Sequence, residues 1–189
     1  RAGASPPGEG SRRRSRIVRG AMPSHDRPST PHAVPSRLRR GSSLLLVVDV
    51  QERLAPHVLG HEALVARTAA LLDVAGRYGI PCFATEHLPE HIGPTIAALR
   101  PRFAPEAIFA KTRFGAHDHP EFAAMLAATG RTQAVLCGME THVCVLQTAL
   151  GLAAAGYEVF VVGDATGSRP VRQDDRRHAI DRMRGAGCV

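Results

Sequence analysis

A chain of 189 residues with 44% hydrophobic content can bury one substantial core, which excludes a peptide or a disulfide-stapled mini-domain. Its formal charge of +7 resembles that of a polyanion binder, yet residues 1–42 hold ten arginines against Glu9 and Asp26, or +8, while residues 43–189 carry fourteen basic and fifteen acidic groups, or −1. The basicity therefore belongs to a tail rather than to a nucleic-acid-binding domain, and no apolar run approaches the ~20 residues of a membrane span.

Residues 1–42 are rich in Arg, Pro, Ser and Gly and show no hydrophobic periodicity, so they are expected to form a disordered basic tail. Within it, SRRRSR (11–16) and RLRR (37–40) read as solvated charge runs, with polyanion binding or targeting as the sharper reading. Order is predicted to begin with SLLLVVDVQ (43–51), a continuous apolar run of the kind found in a strand buried on both faces. Residues 62–77 place Leu64, Val65, Thr68, Leu71, Leu72 and Ala75 at helical spacing, and Gly76 and Gly79 close the helix. IPCFATE (80–86) reads as a second buried strand, followed by a loop over 87–105 with a short helix at 94–100.

The pattern then predicts a strand at 106–111, a helix near 119–129, a strand at 132–138, a helix at 141–155, a strand at 157–163 and a helix at 171–185. Strands alternating with helices imply an α/β fold, an open parallel sheet flanked by helices on both faces, in one domain over 43–189. Cys188 and Val189 read as the opening of a further strand, so a C-terminal strand and helix are expected beyond the end of the pattern. The cysteines at 82, 137, 144 and 188 lack C-x-x-C spacing and secretory context, which predicts free thiols in a reducing cytoplasm.

Sites in open α/β sheets form outside the carboxyl ends of the strands. The polar residues there are Asp49, Glu86, Lys111, Cys144 and Asp164. A carboxylate can take a thiol proton, an ammonium can orient the carboxylate, and a thiolate can attack a carbonyl. Cys144 stands in the first turn of a predicted helix, where unpaired N–H groups and the helix dipole favour the thiolate. Lys111 is the only lysine in a chain that otherwise uses arginine, and Lys is the compact, tunable cation of the two. Read singly, Asp49 is a strand-end hydrogen-bonder and Cys144 a small buried hydrophobe, as Cys82, Cys137 and Cys188 are expected to be.

The blocks LLLVVDVQ (44–51), TEHLPEHIGPT (85–95), KTRFGA (111–116), GMETHVCVLQTAL (138–150) and VVGDATGSR (161–169) together resemble the isochorismatase-like cysteine hydrolase family over nearly all of 43–189. The resemblance implies a Rossmann-like sheet of order 3-2-1-4-5-6, with the last strand truncated here. It puts the family's catalytic Asp, Lys and Cys on Asp49, Lys111 and Cys144, its cis peptide on Met139–Glu140, and its oxyanion hole on the backbone N–H groups of Glu140 and Cys144. It further implies hydrolysis of a small amide-type C–N bond through a Cys144 thioester, a small-molecule substrate, a homo-oligomer, and neither cofactor nor metal.

The candidate pocket residues are Gln51, Glu86, His87, Arg113, Phe114 and His142, with Gln51 also read as structural and His142 as a loop hydrogen-bonder. Thr141 is expected to cap the following helix, and Asp164 and Ser168 to build the turn after the fifth strand. His87 and His91 invite a metal reading, but Pro89 between them breaks the shared helix face that i, i+4 ligands need. The metal-binding nicotinamidases of the family carry a D-x-H pattern that this loop lacks. The loop resembles instead a T-E-Q-x-P subgroup, with His87 at the Gln position. The alternatives are a nicotinamidase-like metal-assisted amidase and a catalytically idle α/β binding module. A dinucleotide-binding domain is disfavoured because QERLAP (51–56) has no G-x-G-x-x-G.

Overall fold

The computed structural model describes Gly3 and residues 37–189, so most of the expected basic tail lies outside the described residues. Five parallel strands form one sheet: β1 (Ser43–Val48), β2 (Cys82–His87), β3 (Ile108–Lys111), β4 (Gln133–Met139) and β5 (Glu158–Gly167), in the order β3-β2-β1-β4-β5. The order agrees with the expected one for its first five members. Val189, where a sixth strand was expected to open, donates to the Val159 carbonyl at 2.9 Å and accepts from the Val161 N–H at 2.8 Å.

The helices are α1 (His61–Tyr78), the four-residue α2 (Pro89–Ile92), α3 (Pro120–Ala127), α4 (Leu146–Ala154) and α5 (Gln173–Gly185). Two apolar layers explain why the strand runs are unbroken rather than alternating. Leu44, Leu46 and Val48 pack with Ala134 and Leu136 against Phe122, Leu126, Ala149, Leu152 and Met183 of α3, α4 and α5. Leu45 and Val47 turn the other way and join Ala84 and Cys137 against Leu64, Leu72 and Ala75 of α1. Successive side chains of a strand point to opposite faces, so one run of leucines and valines serves both layers.

Several boundaries differ from those read off the sequence. Residues 37–42, assigned to the tail, are tied to the sheet: the Arg39 N–H donates to Gln133 Oε1 at 2.8 Å and Gln133 Nε2 donates to the Arg37 carbonyl at 3.0 Å. The helix expected at 94–100 is absent from that stretch, because the Thr95 N–H goes to the Glu86 carboxylate and the Ile96 N–H to the Val50 carbonyl. β5 runs on to Gly167 past a register shift opposite Leu136–Gly138. Asp164, expected at the strand end, lies in that irregularity, exposed and paired with Arg67 at 3.0 Å. Among the described residues no helix is long and apolar enough to cross a membrane.

Candidate active site

The carboxyl ends of β1, β3 and β4 bring Asp49, Lys111 and Cys144 together. The chain turns at Asp49 into the left-handed region (φ 52°), which Asp tolerates better than most residues. This turn puts a fully buried carboxylate under the strand ends. Its Oδ1 accepts the Thr85 hydroxyl at 2.6 Å and its Oδ2 meets Lys111 Nζ at 2.7 Å. Lys111 Nζ also donates to the carbonyls of Arg113 and Phe114, each at 3.1 Å. Three protein oxygens thus match the three donors of the ammonium, as a buried charge requires.

Cys144 lies beside this pair and is 6% exposed. Burial pushes its thiol well above the ordinary range; the Asp49 charge raises it further, and Lys111 opposes both. This direction runs against the thiolate expectation drawn from a helix N-terminus: desolvation and the neighbouring anion both favour the thiol.

The helix start is also not the one expected. Residues Thr141–Val145 form a π turn before α4 begins at Leu146. The Glu140 carbonyl accepts from the N–H groups of Val143 at 3.1 Å and Val145 at 3.2 Å. In an α-helix that carbonyl would take the Cys144 N–H; here it goes to the residues on either side. Such π turns recur at functional sites. The preceding peptide bond, Met139–Glu140, is cis.

Two anchors hold this turn. Gly138 (φ 123°) crosses β1 so closely that a Cβ would stand 2.0 Å from the Val48 carbonyl oxygen, and only glycine fits. The buried Glu140 carboxylate binds Arg169 three times at 3.0 Å: Oε1 takes its N–H and Nε, and Oε2 takes a terminal guanidinium nitrogen. His142 Nδ1 meets Ser168 Oγ at 2.9 Å, consistent with its reading as a loop hydrogen-bonder. Thr141 does not cap α4; its hydroxyl is buried and meets no partner among the described residues.

The other candidate pocket residues separate. Gln51 is a buried clamp, donating to the His87 and Gly93 carbonyls at 3.1 and 2.6 Å and accepting the His87 N–H at 2.8 Å. Glu86 follows Thr85 along β2 and therefore faces the opposite side of the sheet from Asp49. There its Oε1 holds the Thr95 N–H at 2.7 Å and Arg100 at 2.6 Å, so Glu86 supports a loop rather than the pocket. Arg113 turns its guanidinium to the Asp118 carbonyl at 3.1 Å and serves the site only through its own carbonyl. Phe114 is exposed at the rim, its ring 5.3 Å from that of His87. Burial and Lys111 lower the His87 pKa, against opposing contributions from Asp49, the Arg113 carbonyl and Glu90. His91 stands apart, exposed beside Glu90.

Thr85 and Arg169 are the functional neighbours that the sequence reading passed over as site residues. Thr85 looks like an ordinary β-branched strand residue, and only its position two before His87 on the inner face marks it. Among the described residues no cluster of three or more His, Cys, Asp or Glu side chains could hold a metal.

The isochorismatase domain profile matches residues 43–189. Isochorismatase domain-containing protein 1 of Salmo salar is 35% identical over 148 residues, 78% of this chain but 51% of that protein, so the chain spans about half the length of that relative. The MAR1 ribonuclease structure of Caenorhabditis elegans aligns with TM-score 0.75 and 34% identity over 82% of this chain and 78% of its own. The YcaC structure of Escherichia coli, described as an octameric hydrolase of unknown specificity, aligns with TM-score 0.76 and 30% identity over the same shares, 82% and 78%. With the domain profile spanning the whole sheet and every residue of the Asp49–Lys111–Cys144 cluster, this chain belongs to the isochorismatase domain family.

Proposed function

We propose that the chain is a cysteine hydrolase that cleaves a small amide-type C–N bond through a thioester on Cys144. The observation that carries this reading is the closed Asp49–Lys111 ion pair facing a buried thiol, next to a turn whose carbonyl bypasses the Cys144 N–H.

The sulfur starts protonated, so attack requires a base in contact, and Asp49 is the anion placed there. As Asp49 takes the thiol proton, sulfur adds to the substrate carbonyl and the C=O electron pair moves to oxygen. The N–H groups of Glu140 and Cys144 hold that oxyanion. Collapse expels the nitrogen, which leaves as the amine with the proton from Asp49. A water then gives its proton to Asp49, adds to the thioester, and frees the acid as the thiol is restored. Lys111 moves no proton in this scheme; its three acceptors keep it a fixed charge that orients Asp49. A homo-oligomer in a reducing compartment fits the octameric description of the YcaC relative and the free thiols.

The test is a panel of small amides, nicotinamide included, alongside an RNA oligonucleotide, with intact-mass detection of an acyl adduct. An amide-derived acyl group on Cys144, lost with turnover in Cys144→Ala, is the expected result. Turnover that survives Cys144→Ala, or cleavage of the RNA alone, would overturn the reading.

A further inference from the structure

The Glu140 carboxylate is buried, yet no step of the proposed chemistry uses it. Its oxygens go to one residue: Arg169 gives Oε1 its main-chain N–H and Nε, and Oε2 a terminal guanidinium nitrogen, each at 3.0 Å. Main chain and side chain grip together, which fixes the carboxylate in both place and rotation. A buried carboxylate paired in this way is often no more stabilising than apolar packing of the same volume, and specifying one arrangement is its best-attested use.

The arrangement it holds is that of the turn before α4. The Glu140 carbonyl takes the N–H groups of Val143 and Val145 and passes over that of Cys144. Two residues on, His142 Nδ1 meets Ser168 Oγ at 2.9 Å, so the end of β5 grips the turn at two points. That end is itself held. Gln173 Nε2 of α5 donates to the Ser168 and Arg169 carbonyls at 2.9 and 3.0 Å, and the Leu59 N–H reaches the Ser168 carbonyl at 3.1 Å. The charges acting on the Cys144 thiol are those of Asp49 and Lys111, so the pairing of Glu140 with Arg169 acts through position.

We infer that Arg169 is a positioning residue for acyl transfer: through the Glu140 carboxylate it sets the direction of the Glu140 and Cys144 N–H groups toward the oxyanion. The inference rests on the thioester chemistry proposed at Cys144. In this role Arg169 touches neither substrate nor sulfur. Its side chain is half-exposed on the wall of a cleft shared with Arg53, His57 and His91, so it can be changed without opening the core.

The experiment compares two reagents on the full chain, each rate divided by that of the same reagent with glutathione. 4-Nitrophenyl acetate is attacked at its carbonyl: the S–C bond forms, an oxyanion builds up, the thiol proton goes to Asp49 and 4-nitrophenolate leaves. Iodoacetamide is attacked at a saturated carbon and loses iodide, with no oxyanion. Adducts are assigned by peptide mass spectrometry, with Cys144→Ala as the blank. Arg169→Met is expected to slow acylation of Cys144 by about a hundredfold, the effect of an ångström-scale misplacement, while alkylation stays within about threefold. Arg169→Lys cannot fork across both oxygens and should recover only part of the loss. Glu140→Gln combined with Arg169→Met strands no charge and should be no slower than Arg169→Met alone, because both break the same contact. The double variant, set against the wild-type chain, decides the matter if Arg169→Met does not fold. Acylation within about threefold of the wild-type rate, or acylation and alkylation falling in parallel, overturns the positioning role alone. So does a further loss in the double variant. Failure of 4-nitrophenyl acetate to acylate Cys144 in the wild-type chain overturns the thioester reading and this inference with it.

Discussion

Asp49 and Lys111 pull on the same sulfur in opposite senses: the carboxylate raises the Cys144 thiol and the ammonium lowers it. Replacing Asp49 therefore separates reactivity from catalysis. Asp49→Asn leaves Lys111 as the only charge of the pair, so the thiol pKa falls and iodoacetamide alkylates Cys144 faster at neutral pH, about tenfold for each pH unit of the fall. Hydrolysis should drop by about 10²–10⁴ where Asp49 is the base, as proposed. Parallel loss of both rates would make Asp49 a structural partner only. The three central residues were legible in the sequence because each is a chemically reactive type at a strand end. The upward shift of the Cys144 thiol was not, since it depends on burial and on a carboxylate that are distant in sequence.

At the scale of elements, the β4–α4 junction depends on contacts far away in the chain. Gly138 meets the backbone of Val48, and Glu140 is latched by Arg169 on the far side of β5. Gly138→Ala would drive a Cβ into a carbonyl oxygen at a positive φ, so it should destabilise by well over ~1 kcal/mol, several degrees in melting temperature for a domain of this size. Gly163→Ala is the paired control: it lies in the same strand β5, without a positive φ, and nothing stands within 4 Å of its Cβ. Equal losses in the two variants would show that the crossing at Val48 is not special. The same long-range contacts explain why the π turn escaped the sequence reading. THVCVLQTAL (141–150) has an ordinary helical pattern, and nothing local to it records a carboxylate held from Arg169. The run 94–100 misled in the same way, its N–H groups being taken by Glu86 and Val50.

For the whole molecule, the free thiols set how stability responds to alkali. Burial raises Cys82 to about 11 and Cys137 to about 12, and raises Cys144, Cys188 and the Tyr157 hydroxyl as well. The folded state holds these protons to higher pH than the unfolded chain, whose thiols titrate near their ordinary value of 9.0. Their contribution to stability is fully present below that pH and is lost as pH rises through the folded values. The melting temperature should be level from about pH 7 to 9 and fall beyond it, with a shallower alkaline slope in Cys137→Ala. An unchanged slope would mean that Cys137 ionises as freely in the fold as outside it. The two-layer sheet itself was readable, because unbroken runs such as 43–50 have no other use in an α/β chain. The ties of Arg37 and Arg39 to Gln133 were not readable, because they run through the backbone, which their side chains do not disclose.

The ammonium of Lys111 has a consequence for how a ligand gets in. Because it binds the carbonyls of Arg113 and Phe114 from beneath, that segment cannot lift without stranding a buried charge. The Phe114 ring above the same backbone is more than half exposed, held among the described residues only by its contact with the His87 ring. Motion at this rim is then expected as rotation of the Phe114 side chain, on a picosecond-to-nanosecond clock, rather than as a loop opening in microseconds or longer. The ring can turn about its own χ angles while the Lys111 ammonium holds the backbone beneath it.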